Sequence, residues 1–205
     1  RLGHSVSLFE ASDEIGGQFN LAKRIPGKDE FNETLRYYGQ MLEKLGTDVR
    51  LSTAATPEDL SNFDHIVLAS GVQPRAWSIP GADTDRVVSY LNVLKGETIP
   101  GRRVAIIGAG GIGFDVAEFL THDPKTGFFA EWGIDQTLEK RGGLTEVDHE
   151  PSARQVHLFQ RSEGKVGGGL GKTTGWIHRL QLKNKGVVTH NRVEYVKLEG
   201  ETLHY

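Results

Sequence analysis

Two β-α-β patterns, one in each half of the 205-residue chain, predict an α/β fold with parallel sheets. In the first pattern, a short apolar strand at 6–9 precedes a helix at 28–45 whose apolar residues recur at helical spacing. In the second, an almost wholly apolar strand at 103–107 runs into a glycine-rich turn and an amphipathic helix. A linker at 73–81, rich in turn residues, lies between the two patterns.

The other predicted elements complete two domains, which we assign to residues 1–96 and 97–205. A helix at 174–185 ends at Gly186, a residue type that suits the end of a helix. The polar residues 122–152 are expected to form an insertion, and residues 164–171 a flexible glycine-rich loop. Further short strands are predicted at 49–51, 63–69, 155–159, 187–189 and 193–196.

The composition is that of an ordinary soluble globular protein, with 37% hydrophobic and 25% charged residues. A net charge of -3 gives no electrostatic basis for binding nucleic acid. We expect no membrane span and a cytoplasmic protein, because no apolar run approaches ~20 residues and no signal-peptide pattern occurs. The sequence has no cysteine, which excludes a thiol redox pair or a cysteine-held cluster in this chain. Neither a metal site nor a set of catalytic side chains is apparent.

The glycine-rich turn has the spacing of a dinucleotide-binding Rossmann motif. Gly108 allows a tight turn out of the strand, and Gly110 lets a pyrophosphate approach the backbone. Gly113 lets the helix pack closely against the sheet, and Gly111 lies in the helix's first turn, where backbone N–H groups face the phosphates. The alternative is a glycine-rich turn that binds no ligand.

The residues after the next strand decide between NAD and NADP. An acidic residue there would accept a hydrogen bond from the ribose 2′-OH, but this chain has Gln160 and Arg161. The guanidinium of Arg161 suits a 2′-phosphate, so we predict NADPH; the alternative is a solvated surface arginine. This strand end lies 48 residues beyond Gly113, against the usual ~20, which is why residues 122–152 are interpreted as an insertion.

The first half has the features of an incomplete FAD-binding Rossmann domain. Glu10 ends a strand, where it would hold the ribose of a dinucleotide, although an ordinary surface carboxylate is the alternative. A strand that ends in Ala69-Ser70-Gly71 recurs in flavoproteins with two dinucleotide sites, where Gly71 would pass the flavin nucleotide. Only nine residues precede Glu10, so we expect that the first strand and its glycine motif belong to a longer protein. The two domains together resemble the pyridine nucleotide-disulfide oxidoreductase architecture.

Several longer strings are more specific than the Rossmann pattern. The strings are Glu14-Ile-Gly-Gly-Gln-Phe-Asn20, Ile25-Pro-Gly-Lys28, Glu33-Thr-Leu-Arg-Tyr-Tyr38, Val104-Ala-Ile-Ile-Gly108, Gly110-Gly-Ile-Gly-Phe-Asp115, Glu131-Trp-Gly-Ile-Asp135 and Gly169-Leu-Gly-Lys-Thr-Thr-Gly-Trp-Ile-His-Arg179. Together they resemble the bacterial NADPH-dependent 2,4-dienoyl-CoA reductases over essentially the whole chain. The last string is the most specific, because a generic Rossmann protein does not need it.

The resemblance implies a long flavoprotein of which this chain is the C-terminal FAD- and NADPH-binding portion. A barrel with FMN and the acyl-CoA site, and then a 4Fe-4S cluster, would precede it, and the whole would act in fatty acid β-oxidation. We therefore expect this chain by itself not to reduce dienoyl-CoA. The resemblance also implies that Glu10, Gln18 and Lys28 contact FAD, with the backbone near Ala55 beside the adenine.

Other assignments are left open by the sequence. The chain is alternatively a non-catalytic ADP-binding module, as in proteins that resemble trimethylamine dehydrogenase. The loop at 162–171 and Trp176 are candidates for contact with nucleotide or acyl-CoA, but Trp176 is equally well a core residue packed on Leu180. Lys172 is more simply explained as a solvated loop residue, and His178 as structural.

Overall fold

The computed structural model describes residues 2–147 and 152–205. The chain divides into two compact units, Arg1–Ala76 and Trp77–Tyr205. Residues 77–96, which the sequence analysis assigned to the first domain, cluster with the second unit. Each unit contains a parallel sheet, so the predicted α/β fold with parallel sheets is confirmed.

The first unit is built on a pair of short parallel strands, β1 (Ser7–Phe9) and β2 (Asp48–Arg50), with Leu8 opposite Val49. The predicted long helix is present as α2, Glu30–Lys44, and it ends before Gly46, which has a φ of 65°. Two further helices were not predicted, α1 (Phe19–Ala22) and α3 (Pro57–Leu60).

The strand predicted at 63–69 is wrong. The backbone of residues 65–80 has no regular structure, and Val67 and Leu68 are 88% and 85% exposed. A strand needs a neighbour for its backbone N–H and C=O groups, and no described strand pairs with this segment. The apolar pattern indicates a preference for burial in a sheet, but it does not supply the partner strand.

The second unit contains a three-stranded parallel sheet in the order β3-β4-β5. Its strands are β3 (Arg103–Ile107), β4 (Gln155–Phe159) and β5 (Val188–His190), so the first two match their predicted bounds and the third lies one residue later. In register, Ile106 lies opposite Leu158, and Leu158 opposite Thr189. Helices α4 (Tyr90–Lys95), α5 (Gly111–Thr121) and α7 (Gly175–Asn184) complete the unit's main frame.

The core of the second unit lies between α5 and the sheet. Val156 and Leu158 on β4 are 1% and 0% exposed, and the apolar residues of α5 are buried as well. Val116 and Leu120 lie on the buried side, as the helical spacing predicts, whereas Ile112 is 49% exposed. The sheet and α5 therefore form one packed layer pair, and the carboxyl ends of β3 and β4 meet at a single edge.

Described residues of the predicted insertion form a small ordered segment; residues 148–151 lie outside the described part. It contains α6 (Phe128–Glu131), a 3₁₀ turn at Arg141–Gly143 and a bridge between Ile134 and Leu144. An ion pair of 3.2 Å between Lys185 Nζ and Glu131 Oε1 connects it to the end of α7. Both side chains are largely buried, so this ion pair holds the segment that contains α6 against the end of α7.

The strand predicted at 193–196 is wrong, and an antiparallel hairpin follows it instead. The hairpin consists of β6 (Lys197–Glu199) and β7 (Thr202–His204). The N–H groups of Val193 and Val196 donate to Gln160 O and His204 O, at 3.2 and 2.9 Å. These bonds go to a loop and to the hairpin, so the backbone of 193–196 joins no continuous ladder.

Candidate dinucleotide site

The turn between β3 and α5 has the geometry that its glycines predict. Gly108 donates its N–H to Phe159 O at 3.0 Å, and its φ of 109° is a conformation that favours glycine. A Cβ built on Gly113 would overlap the carbonyl oxygen of Gly108 and lie 3.4 Å from Leu158 Cδ1. Gly108 therefore permits the bend, and Gly113 permits the close approach of α5 to the end of β3.

The other two glycines of the turn face open space. A Cβ built on Gly110 or on Gly111 has no heavy atom within 4 Å. Gly110 is the extended residue that precedes α5, and Phe114 N–H donates back to its carbonyl at 3.1 Å. The first-turn N–H groups of an 11-residue helix thus lie beside an uncovered backbone, an arrangement that fits a pyrophosphate.

Arg161 lies at the same sheet edge as the glycine turn, two residues after the end of the adjacent strand β4. Ile107 and Phe159 are opposite each other in register, so both strands end at the same level. The Arg161 side chain is exposed, and no carboxylate within the described residues forms an ion pair with it. Its guanidinium is close enough to Tyr195 to oppose the rise that burial causes in the pKa of that phenol.

Gln160 uses its side chain within its own loop. Its Oε1 accepts from Gly167 N–H at 3.3 Å, and its Nε2 donates to Ser162 O at 3.2 Å. Gly167 also packs on the α5 helix, since a Cβ there would lie 2.5 Å from Phe114 Cζ. The sequence predicts part of the segment between Gln160 and Gly167 to be flexible. In the structure, the hydrogen bond from Gly167 N–H to Gln160 Oε1 joins the two ends of this segment.

Two residues that the sequence analysis did not select also hold this loop. Arg179 Nη1 donates to Gly167 O at 3.0 Å, and Asn191 Nδ2 donates to Gly164 O at 2.8 Å. Both acceptors are backbone carbonyls, 12 and 27 residues away in sequence. Arg179 ends the string most specific to the resemblance, which was the available signal; nothing in the sequence points to Asn191.

A buried polar cluster lies between α5 and α7. Glu118 is 5% exposed, and its Oε1 accepts from Gln181 Nε2 at 2.7 Å. His178 Nδ1 lies 3.6 Å from Glu118 Oε2, and the structural role of this histidine stays a prediction. Burial raises the pKa of Glu118, although His178 and Lys185 act in the opposite direction.

The residues predicted to contact FAD lie in the first unit. Glu10 directly follows β1, and its Oε1 accepts from Ser12 N–H at 2.9 Å and from Ser12 Oγ–H at 2.5 Å. These bonds lower the pKa of Glu10, so its carboxylate is ionised at neutral pH and available to ribose hydroxyls.

The other predicted FAD residues have different settings. Gln18 is the exposed residue before α1, Lys28 is half-buried, Ala55 is exposed in the segment before α3, and Gly71 has a φ of 72°. Because the strand at 63–69 is absent, the predicted strand-end position of Gly71 is not formed. The FAD-binding roles of all five residues stay predictions.

The remaining candidates are accounted for individually. Trp176 is 56% exposed, so its assignment as a core residue is wrong, and Lys172 is exposed in the loop before α7. Residues 2–147 and 152–205 include no cluster of three or more metal-ligating side chains. Among the described helices, none combines the length and apolarity that a membrane crossing needs.

A parallel sheet with this glycine turn between β3 and α5 defines the class of dinucleotide-binding Rossmann proteins. The chain belongs to the pyridine nucleotide-disulphide oxidoreductase family, whose model matches residues 1–204. It is thus a nucleotide- and flavin-binding oxidoreductase module.

Similar proteins include reductases that are much longer than this chain. A metal reductase of Desulforamulus reducens is 32% identical over 195 residues, which are 90% of this chain and 28% of that protein. A cinnamate reductase of Clostridium sporogenes is 32% identical over 155 residues, 72% of this chain and 22% of that protein. Among solved structures, a 2-naphthoyl-CoA reductase matches with a TM-score of 0.75 and 24% identity, over 98% of this chain and 26% of that one. The chain thus spans about a quarter of the length of these relatives.

Proposed function

We propose that this chain is the electron-input portion of an NADPH-dependent 2,4-dienoyl-CoA reductase, where it binds NADPH and FAD. The second unit would hold NADPH, with the pyrophosphate over Gly110 and Gly111 and the 2′-phosphate at Arg161. The first unit would hold FAD through Glu10, Gln18 and Lys28. NADPH supplies a hydride when bound, and the residues of this chain bind and orient it.

The preference for NADPH rests on one observation: Arg161 and the uncovered glycine turn lie at the same edge of the sheet. An acidic side chain at the end of β4 would repel a 2′-phosphate, but the residues there are Gln160 and Arg161. Arg161 forms no ion pair within the described residues, so a phosphate would not have to displace a carboxylate from its guanidinium. A planar guanidinium donates two hydrogen bonds to one phosphate, which favours it over a single ammonium.

The acyl-CoA substrate is proposed for the whole protein to which this chain would contribute. Its support is the resemblance of the strings from Gly169 to Arg179, together with the similarity to a cinnamate reductase, whose name gives an α,β-unsaturated acid as its substrate. A barrel with FMN and a 4Fe-4S cluster would complete the electron path. The cysteines for that cluster are absent from this sequence.

Calorimetric titration of the chain with NADPH, NADH and ADP tests the coenzyme assignment. We expect NADPH to bind more tightly than NADH, and Arg161→Gln to weaken NADPH binding roughly tenfold or more while leaving NADH binding unchanged. Arg141→Gln is a matched control, because Arg141 is exposed in the insertion and its replacement removes the same charge. Its coenzyme affinities should stay within about twofold of wild type.

Two results of this titration would contradict the proposal. Equal affinity for NADPH and NADH in the wild-type chain would remove the basis for NADPH. Tight binding of ADP, with no gain from a 2′-phosphate, would instead favour a non-catalytic ADP-binding module.

A further inference from the structure

Side chains hydrogen-bond to the backbone of the loop that contains Arg161, and in doing so they use polar groups that are not required for contact with the coenzyme. We infer that Asn191 and Arg179, together with Gln160, are positioning residues for recognition of the 2′-phosphate. This inference rests on the proposed function, because it concerns the same NADPH site. It assigns Gln160 to the support of the loop and not to direct contact with the nucleotide.

The first step concerns the closure of the loop on itself. Gln160 N–H donates to His190 O at 2.8 Å, which continues the β4–β5 ladder up to the residue before Arg161. The Gln160 side chain then reaches forward to Gly167 N–H at 3.3 Å. The chain from 161 to 166 is therefore an arc with both ends held by one residue at the sheet edge.

The second step concerns the middle of this arc. Asn191 follows β5 directly, and its Nδ2 donates to Gly164 O at 2.8 Å. The next residue, Arg192, donates its backbone N–H to Ser162 O at 3.1 Å. The end of β5 thus supports the arc at Ser162 and Gly164, on either side of Glu163.

The third step concerns Gly167, where the arc meets α5 and α7. Its N–H is bonded to Gln160 and its carbonyl to Arg179 Nη1 at 3.0 Å. Its Cα lies against the ring of Phe114, the residue that follows Gly113 in the first turn of α5. The arc is consequently packed on the helix that forms the glycine turn, which relates the position of Arg161 to that turn.

These contacts matter because the sequence of the arc would otherwise be mobile. Gly164 in the arc, and Gly167 and Gly168 directly after it, confer high backbone freedom, and binding a phosphate would have to restrict it. Preorganising a loop before binding lowers that cost and raises affinity without any new contact to the ligand. NADPH and NADH differ only in the 2′-phosphate, so a residue that acts through the arc should alter the preference between them.

The test is a titration of the chain with NADPH and NADH in an Asn191→Ala variant. We expect a roughly three- to tenfold loss of NADPH affinity with unchanged NADH affinity, from the loss of one hydrogen bond that orders the loop. Asn32→Ala is the matched control, because Asn32 Nδ2 also donates to a backbone carbonyl, that of Asp29 at 3.0 Å, on an exposed surface of the first unit. It should leave both affinities unchanged.

An Arg179→Lys variant tests the hydrogen bond from Arg179 Nη1 to Gly167 O with a conservative change. A lysine ammonium can still donate to Gly167 O, so the NADPH preference should fall less than in Arg179→Met. Thermal melting of each variant identifies any that is unfolded. Equal losses in Lys and Met variants that remain folded would contradict the role of this hydrogen bond.

The outcomes separate this inference from the proposed function. A wild-type preference for NADPH that Arg161→Gln removes but Asn191→Ala leaves intact overturns the inference alone. Equal weakening of NADPH and NADH in Asn191→Ala also overturns it, because the arc would then serve the dinucleotide as a whole. A wild-type chain with no preference for NADPH overturns both.

Discussion

The two units of this chain share a β-α-β pattern but differ in how much of it is buried. In the first unit, the parallel pair β1–β2 has three residues in each strand, and the buried apolar side chains among the described residues are Leu21 and Ile25, at 9% and 1% exposed. In the second unit, α5 packs against β3 and β4 of the three-stranded sheet, and Val156 and Leu158 are almost inaccessible to water. Strands β1 and β2 pair with each other and yet stay half-buried or exposed, whereas β4 is buried where α5 covers it.

The polar groups of the two units differ in the same way. In the first unit, Glu10, Asp48 and Asp59 lie near the surface, and hydrogen bonds from nearby residues lower their pKa values. In the second unit, Glu118 is buried on the side of α5 that faces α7, and burial raises its pKa. Asp135 of the same unit is not buried and has a lowered pKa, so the effect belongs to the buried position of Glu118.

The largest expected difference between the two units is in the free energy of unfolding that is lost when a core side chain is shortened. Leu158→Ala is expected to lower the free energy of unfolding of the second unit by about 3–5 kcal/mol, because Leu158 is fully buried between strands and helix. The three tryptophans, Trp77, Trp132 and Trp176, all lie in that unit, so urea unfolding followed by tryptophan fluorescence measures it.

Leu8→Ala is the corresponding change in the first unit, where Leu8 is half-buried on β1. We expect a cost of about 1 kcal/mol, seen as faster amide hydrogen exchange in β2. If Leu8→Ala were as costly as Leu158→Ala, the contrast in burial between the two units would not hold.

A methyl group at the glycine turn should have the next largest effect. Gly113→Ala is expected to destabilise the second unit by about 2 kcal/mol or more, since its Cβ would overlap Gly108 O. Gly111→Ala is the control in the same turn, where the Cβ would meet open space, and its stability should change by no more than about 0.5 kcal/mol. Equal losses of stability in urea unfolding would contradict the close approach at Gly113.

The smallest expected effect is a difference in pH dependence between the two units. Because the pKa of Glu118 is raised on folding, its contribution to stability is fully present below its unfolded pKa and is lost as pH rises through the folded pKa. Glu118→Gln should therefore gain stability relative to wild type as pH rises through that window. Unfolding of the two proteins across pH 4 to 8, roughly the range over which a buried carboxyl titrates, measures this difference.

Glu10→Gln should behave with the opposite sign. The pKa of Glu10 is lowered by its bonds from Ser12, so its contribution is present above the unfolded pKa and is lost as pH falls through the folded pKa. A carboxyl NMR titration in which Glu118 titrates below Glu10 would contradict both assignments.

The sequence predicted strands β3, β4 and helix α5 of the second unit well because their patterns are local, although the strand predicted at 193–196 in the same unit is wrong. The apolar strands at 103–107 and 155–159 and the glycine turn between β3 and α5 each follow from adjacent residues. The short helix α3 also had a local signal, a capping box between Thr56 and Asp59, although it was not predicted. Strand 63–69 was predicted wrongly because pairing depends on a second strand that the local sequence does not specify.

The candidate site also has features that follow from local sequence patterns and others that depend on distant residues. The positions of Gly108, Gly113 and Arg161 follow from strand order, since adjacent parallel strands end at one edge. The roles of Asn191 and Arg179 depend on hydrogen bonds to the carbonyls of distant loop residues. Such bonds leave no mark in residue spacing, so Asn191 had no signal in the sequence, and Arg179 had only its place in the string from Gly169 to Arg179.

A crystal structure of the chain grown with NADPH tests the central claim most directly. We predict that the pyrophosphate lies over Gly110 and Gly111, with the 2′-phosphate bonded to the Arg161 guanidinium and the backbone of the arc at 161–166 unchanged. A coenzyme bound elsewhere, or a 2′-phosphate directed into solvent with Arg161 turned away, would contradict the assignment of this unit to NADPH.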